Sequence, residues 1–232
     1  MIDRLKEIVG PEYVLTSDMD RALYSYDASL EKALPDVVVL PASTEEVSKI
    51  MALAYGEKIP ILGRGSGTNL TGGSIPVKGG IVVHFSRMNH MIDVDAANLT
   101  ITVEAGVKFR DIQARLATEE DRCYLPLEDL VTDADEMICS ERSHSGSFLP
   151  LDPICADTAT IGGVIAANST GPRRLLYNLP RDMILGIKLV SPGGTVAGAG
   201  GKTVKNVSGY DTSKLVVGVH GNPRHPLRVG GL

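Results

Sequence analysis

Apolar residues in the opening stretch "MIDRLKEIVG" recur at helical spacing and stop at Gly10-Pro11, which predicts a helical lead-in over residues 1–34. "DVVVLP" (Asp36 to Pro41) is a continuous apolar run closed by proline and predicts a short buried strand. Ser43-Thr44-Glu45-Glu46 then reads as a capping box, with Ser43 as N-cap and Glu46 reaching back. The helix it opens carries Val47, Ile50, Met51 and Ala54 on one face and ends at Gly56. "KIPILG" is the next strand, completing a βαβ unit. From Gly79 the pattern changes. "GGIVVHF" and "MIDVDAANLTITVEAGV" read as antiparallel strands, with a turn at Ala96-Ala97-Asn98. A helix follows around Phe109 to Thr118, and residues 119–150 are polar and weakly periodic, as in a loop or an insertion. "TATIGGVIAANSTGP" predicts a loop entering a short helix of small residues. "MILGIKLVSPGGTVAGAGG" predicts a hairpin turning at Pro192-Gly193-Gly194. One βαβ unit with several hairpins makes the fold class α+β rather than a doubly wound sheet.

Composition adds mainly exclusions. At 232 residues, 43% hydrophobic and 22% charged, the chain has the make-up of an ordinary globular protein. A net charge of -5 gives no reason to expect nucleic acid or an anionic membrane as partner. No apolar stretch reaches the length of a transmembrane segment and no signal-peptide pattern opens the chain, so the expected compartment is the cytoplasm. Cys123, Cys139 and Cys155 form no Cys-x-x-Cys pair, and the five histidines lack metal-site spacing, so no metal is expected.

The stretch richest in chemistry is "ILGRGSGTNLTGGS" (Ile61 to Ser74), with five glycines, four small hydroxyl residues, an amide and an arginine. Bare backbone with small donors and no carboxylate suits an anion such as a phosphate. Two familiar nucleotide signatures fail here. Gly63, Gly65 and Gly67 alternate, which is not the Gly-x-Gly-x-x-Gly spacing. Gly201-Lys202-Thr203 has the tail of a Walker loop, but Val196 stands where its first glycine belongs. The segments "ATIGG", "ANSTGPRR" and "GGKTVKNVSGYD" repeat the same mixture of small residues with an amide, a hydroxyl or a cation.

In this combination and order the segments resemble the flavin-binding domain of the vanillyl-alcohol oxidase/PCMH superfamily. Within it they look most like the FAD subunits of glycolate oxidase and D-lactate dehydrogenase, which are D-2-hydroxy-acid dehydrogenases. "PDVVVLPASTEEVSKIM" resembles the family's opening, "RGSGTNLTGG" its pyrophosphate loop, and "RDMILGIKLV" and "GGKTVKNVSGYDTSKLVVG" its later segments. The resemblance implies a PCMH-type FAD-binding domain over residues 35–221, made of two α+β subdomains with the flavin between them. The cofactor-binding residues it implies are Arg64, Gly65, Ser66, Gly67, Thr68, Asn69 and Leu70 in the first loop, then Pro150 and Asp152 in "FLPLDP". Thr160, Ile161, Gly162 and Gly163 are expected to supply the opposite wall through backbone groups, joined by Asn168, Ser169, Gly171, Arg173, Lys205 and Gly209. Family members with covalent flavin carry a histidine in the first loop, where this chain has Thr68, so the FAD is expected to be non-covalent.

The expected activity of the complete enzyme is oxidation of a 2-hydroxy acid to a 2-oxo acid, a hydride leaving substrate C2 for the flavin. The electrons would then pass on to a partner subunit or quinone. The family's substrate chemistry lies in a cap-like C-terminal domain that this sequence does not reach, so no catalytic residue is named. After "KLVVG" the family pattern is replaced by "VHGNPRHPL". The codons of Gly221 to His225, with the following base, permit Gly-Thr-Leu-Gly-Ile in a shifted frame, so residues 222–232 are expected to be a frameshift tail. "YLPLED" and "FLPLDP" resemble each other 24 residues apart, and residues 128–147 are expected to be an inserted surface loop. Two other readings stay open: a non-catalytic FAD-binding subunit of a multi-chain redox complex, and an inactive truncated fragment.

Overall fold

Val37, Val38 and Val39 are all fully buried, which a strand achieves only when both of its faces are covered. They form β2 (Val37–Val39) of a four-stranded sheet. The computed structural model describes residues 1–95, 97–117, 148–177, 179–201 and 213–218. In the sheet, β1 (Val14–Leu15) and β2 precede β3 (Ile61–Arg64) and β4 (Ile81–His84), and the spatial order is β1-β2-β4-β3. β1 runs antiparallel to β2, whereas β2, β4 and β3 are mutually parallel, with Val38, Val82 and Leu62 in register.

Two expectations change here. "GGIVVHF" does not begin an antiparallel set; its core is β4, a parallel strand inserted between the two strands of the βαβ unit. Its continuous apolar run is what a strand buried on both faces requires. The lead-in begins with a helix as expected, α1 (Ile2–Val9), and adds α2 (Asp18–Leu23), but between them β1 joins the sheet as an edge strand.

α3 (Thr44–Gly56) crosses from β2 to β3. Ser43 Oγ accepts from the Glu46 N–H at 3.2 Å, and the Glu46 carboxylate reaches back to the Ala42 N–H at 2.7 Å, one residue before the N-cap. Val47, Ile50, Met51, Leu53 and Ala54 face the core together with Leu5 and Val9 of α1. Each large aliphatic side chain so buried contributes on the order of 2 kcal/mol of transfer free energy.

The second half is built around the hairpin β5 (Met91–Asp95) and β6 (Thr100–Val103), with α4 (Phe109–Ala117) and α5 (Ile161–Ala167). Val107, Ile112, Leu116 and Ile161 form its core, and Phe109, Leu151, Ala159 and Val164 form a neighbouring cluster. Short helices α6 (Arg174–Tyr177) and α7 (Pro180–Met183) follow. The hairpin β7 (Gly186–Val190) and β8 (Val196–Gly200) turns at Ser191–Thr195 as expected and docks on α3, where the Ser48 hydroxyl donates to the Gly194 carbonyl. α8 (Ser213–Val216) is the last described helix. No helix among the described residues is long and apolar enough to cross a membrane. The expected insertion at 128–147 and the tail at 222–232 lie outside the described residues.

Candidate functional site

β3 ends at Arg64, and the chain leaves the carboxyl edge of the parallel sheet as the glycine-rich loop, residues 65–79. Ligands of parallel sheets gather at that edge. The loop runs against the start of α5, and between them opens a cavity of about 680 Å³, within the usual range for a cofactor site. The loop and α5 approach too closely for side chains between them. A Cβ on Gly65 would overlap Thr160 Oγ1; on the α5 side, one on Gly162 would stand 2.9 Å from Ala105, in the segment between β6 and α4. The Ser66 hydroxyl donates to the Thr158 carbonyl and ties the two walls. Gly67 sits at φ +69°, a conformation that side-chain-bearing residues rarely adopt.

Charge at the cavity is one-sided. Among the described residues its lining holds Arg64 and Lys78 but no Asp or Glu, and no His or Tyr. Arg64 is 7% exposed and its Nη1 donates to the Ser74 carbonyl at 3.2 Å. Burial lowers its pKa from the ordinary guanidinium value, opposed by the nearby Asp27 carboxylate. His84 is held below the usual imidazole range, first by burial; its Nδ1 lies 3.2 Å from the Arg64 carbonyl and its ring meets Tyr24 edge-on at 5.1 Å. His84 therefore packs against the Arg64 end of the loop and Tyr24, outside the cavity lining.

The expected site residues separate into three groups. Arg64, Gly65, Ser66, Gly67, Thr68, Asn69 and Leu70 line the cavity, as do Thr160, Gly162, Gly163 and Ser169. Pro150, Asp152, Ile161, Asn168, Gly171 and Arg173 do not. Asp152 instead accepts from the Gly171 N–H at 3.1 Å and the Arg173 N–H at 2.8 Å, fastening the segment after α5. Asn168 is the left-handed C-cap of α5 and accepts from the Arg181 N–H, and Ile161 belongs to the core. Lys205 and Gly209 lie outside the described residues. Sequence reasoning missed Phe85, Ala105 and Cys155, which line the cavity from distant parts of the chain; no local motif marks them.

On the α5 wall, the Ile161 N–H bonds to the Val107 carbonyl, that of Gly162 to the Ala105 carbonyl, and that of Gly163 to Thr160 Oγ1, so these three are already paired, while the Thr160 N–H finds no protein acceptor among the described residues. The N–H groups of Ser66, Gly67 and Thr68 find no protein acceptor among the described residues. Unmet donors beside an acid-free cavity fit the pyrophosphate of FAD, and the apolar stretch of Phe85, Ala105 and Val164 fits a planar ring system.

Comparison with known proteins agrees. The family described as "FAD binding domain" matches residues 35–127 and 140–213. The chain is 37% identical over 220 residues to the glycolate oxidase subunit GlcD of Bacillus subtilis, covering 94% of this chain and 41% of that protein. It is 36% identical over 185 residues to a D-lactate dehydrogenase of Archaeoglobus fulgidus, covering 80% of this chain and 35% of the relative. The chain thus spans about two fifths of the length of such relatives. Among solved structures, an alkyldihydroxyacetonephosphate synthase superposes with a TM-score of 0.73 at 22% identity over 95% of this chain and 36% of that one. A p-cresol methylhydroxylase gives 0.60 at 19% identity over 92% and 37%. These two likenesses establish the PCMH-type α+β fold. With the family match across most of its length, the chain belongs to the FAD-binding-domain family.

Proposed function

We propose that this chain is the cofactor-holding portion of a flavin-dependent 2-hydroxy-acid dehydrogenase. The observation that carries the reading is the cavity lined by Ser66, Gly67 and Thr68, whose described lining has no Asp or Glu and where the N–H groups of these three residues lack protein acceptors among the described residues. Bound FAD would supply acceptance of two electrons from a carbon–hydrogen bond. The protein's own residues do the holding. Ser66, Gly67 and Thr68 donate to the pyrophosphate, Arg64 and Lys78 set a positive local field, and the α5 wall excludes water from the apolar end. The names of the relatives, a glycolate oxidase subunit and D-lactate dehydrogenases, support a small 2-hydroxy acid as substrate of the complete enzyme.

FAD is held without a covalent bond in this reading, because Thr68 occupies the loop position where members with covalent flavin carry a histidine. Residues 35–221 form the cofactor domain. The family match passes over residues 128–139, which supports reading part of 128–147 as an insertion.

The test is spectroscopic. Purified protein is expected to carry, or to take up on titration, one FAD per chain with a flavin absorption band, and to release it intact on denaturation. A chain that takes up no FAD at micromolar concentration overturns the reading, and flavin that stays with the denatured chain overturns its non-covalent part.

A further inference from the structure

The family match begins at residue 35, yet the cavity's loop is fastened by a segment before it. Asp27 is 7% exposed, deep for a carboxylate. Its Oδ1 accepts from the Ser29 N–H at 2.7 Å and its Oδ2 from the Ser74 hydroxyl at 3.3 Å. Ser74 is itself 4% exposed, and its carbonyl accepts from Arg64 Nη1. One residue on, the Ala28 N–H donates to the Asn69 carbonyl at 3.0 Å, and Ala28 lines the cavity. The Arg64 guanidinium lies over the Tyr24 ring at 5.8 Å and directly under Gly67, where a Cβ would collide with Nη2. The segment thus reaches the glycine-rich loop at two points, Asn69 and Ser74, and sets a buried carboxylate whose charge acts on Arg64.

We propose that residues 24–29 are a built part of the cofactor site and that Asp27 is its positioning residue, holding the glycine-rich loop from beneath through Ser74 and the Arg64 guanidinium. A buried arginine needs a compensating charge and filled hydrogen bonds. Asp27 acts on Arg64 through its charge and holds the Ser74 hydroxyl, the Ser74 carbonyl accepts from Nη1, the guanidinium lies over the Tyr24 ring, and Arg64 so placed sits as a shelf under Gly67. Without Asp27, Arg64 gains by turning toward solvent and the loop loses its floor. The backbone that carries the unmet N–H groups of Ser66, Gly67 and Thr68 would then shift. Asp27 itself lies outside the cavity lining, so it acts on the cofactor only through the loop. This inference rests on the proposed FAD site for its ligand, while the clamp stands on contacts within the chain.

The experiment compares wild type with Asp27→Asn, Ser74→Ala and Val14→Ala, the last a core variant on β1 remote from the loop. Two quantities are read: amide hydrogen exchange in the peptide spanning residues 65–74 of flavin-free protein, and FAD affinity by fluorescence titration. Asp27→Asn is expected to speed loop exchange at least fivefold and weaken FAD binding at least tenfold. Ser74→Ala moves both in the same direction, and Val14→Ala leaves both within about twofold while lowering thermal stability. Unchanged loop exchange in Asp27→Asn overturns the clamp, and faster exchange with unchanged affinity overturns its role toward the cofactor. If Asp27→Asn does not fold, Ser74→Ala decides by the same two readings. A wild type that takes up no FAD overturns the functional reading, and the exchange comparison still decides the clamp.

Discussion

At the scale of single residues, the glycines of the first loop do two different jobs. Gly67 needs its φ of +69°, and any side chain there would also run into the Arg64 guanidinium. Gly65 needs no unusual backbone, but a Cβ would overlap Thr160 Oγ1, so its smallness sets the distance between the two walls. Gly67→Val is therefore expected to combine backbone strain with displacement of Arg64, and Gly65→Ala to push the loop off α5. Each should weaken FAD binding at least tenfold in fluorescence titration, a loss of about 1.4 kcal/mol. Affinity unchanged in both variants would make the loop a structural turn only. The need for bare backbone was legible in "RGSGTNLTGG" because it is local. Asp27 was not legible: its hydroxyl partner Ser74 is 47 residues away, and nothing in "YDAS" marks a carboxylate that will be buried under another loop.

Elements show the same division between local and non-local information. The Ser43 cap and the buried face of α3 were readable because capping and helical periodicity act within a few residues. β4 was misplaced because strand direction depends on which neighbours cover it, and a continuous apolar run carries that only as absence of alternation. The two capped helices now give a paired prediction. Ser43→Ala removes the acceptor for the Glu46 N–H on a helix that does not line the cavity. It is expected to cost about 1 kcal/mol, a drop of roughly 2–4 °C in Tm for a chain of this size, with FAD affinity unchanged. Thr160→Ala removes a comparable cap, and also the Oγ1 that meets Gly65, so it should lower Tm similarly and weaken FAD binding as well. Calorimetry with flavin titration on both variants checks the contrast. Equal flavin affinity in the two would show that the α5 wall plays no part in the site.

For the whole molecule the question is what a cavity of this composition can do alone. Oxidising a 2-hydroxy acid requires a group to take the hydroxyl proton and others to hold the carboxylate, with the reacting carbon fixed near its acceptor. Among the described residues, the titratable groups lining the cavity are Arg64, Lys78 and Cys155. Arg64 is committed to Ser74 beneath the loop, and no described carboxylate or imidazole faces the space. On the proposed reading, the described lining would hold a cofactor and position it without the acid–base groups that the reaction needs. The matched region covers about two fifths of the length of the curated relatives, and on the proposed reading those groups belong to parts of such an enzyme outside the described lining. This chain alone is expected to bind FAD and to turn over neither glycolate nor D-lactate at a useful rate when assayed with an artificial dye acceptor. Bound flavin should bleach with a chemical reductant and stay oxidised with either acid. Turnover approaching the usual enzyme scale of about 10 per second would place a base within this chain's reach of the cavity, and mutating Lys78 and Cys155 in turn would then show whether the described lining supplies it.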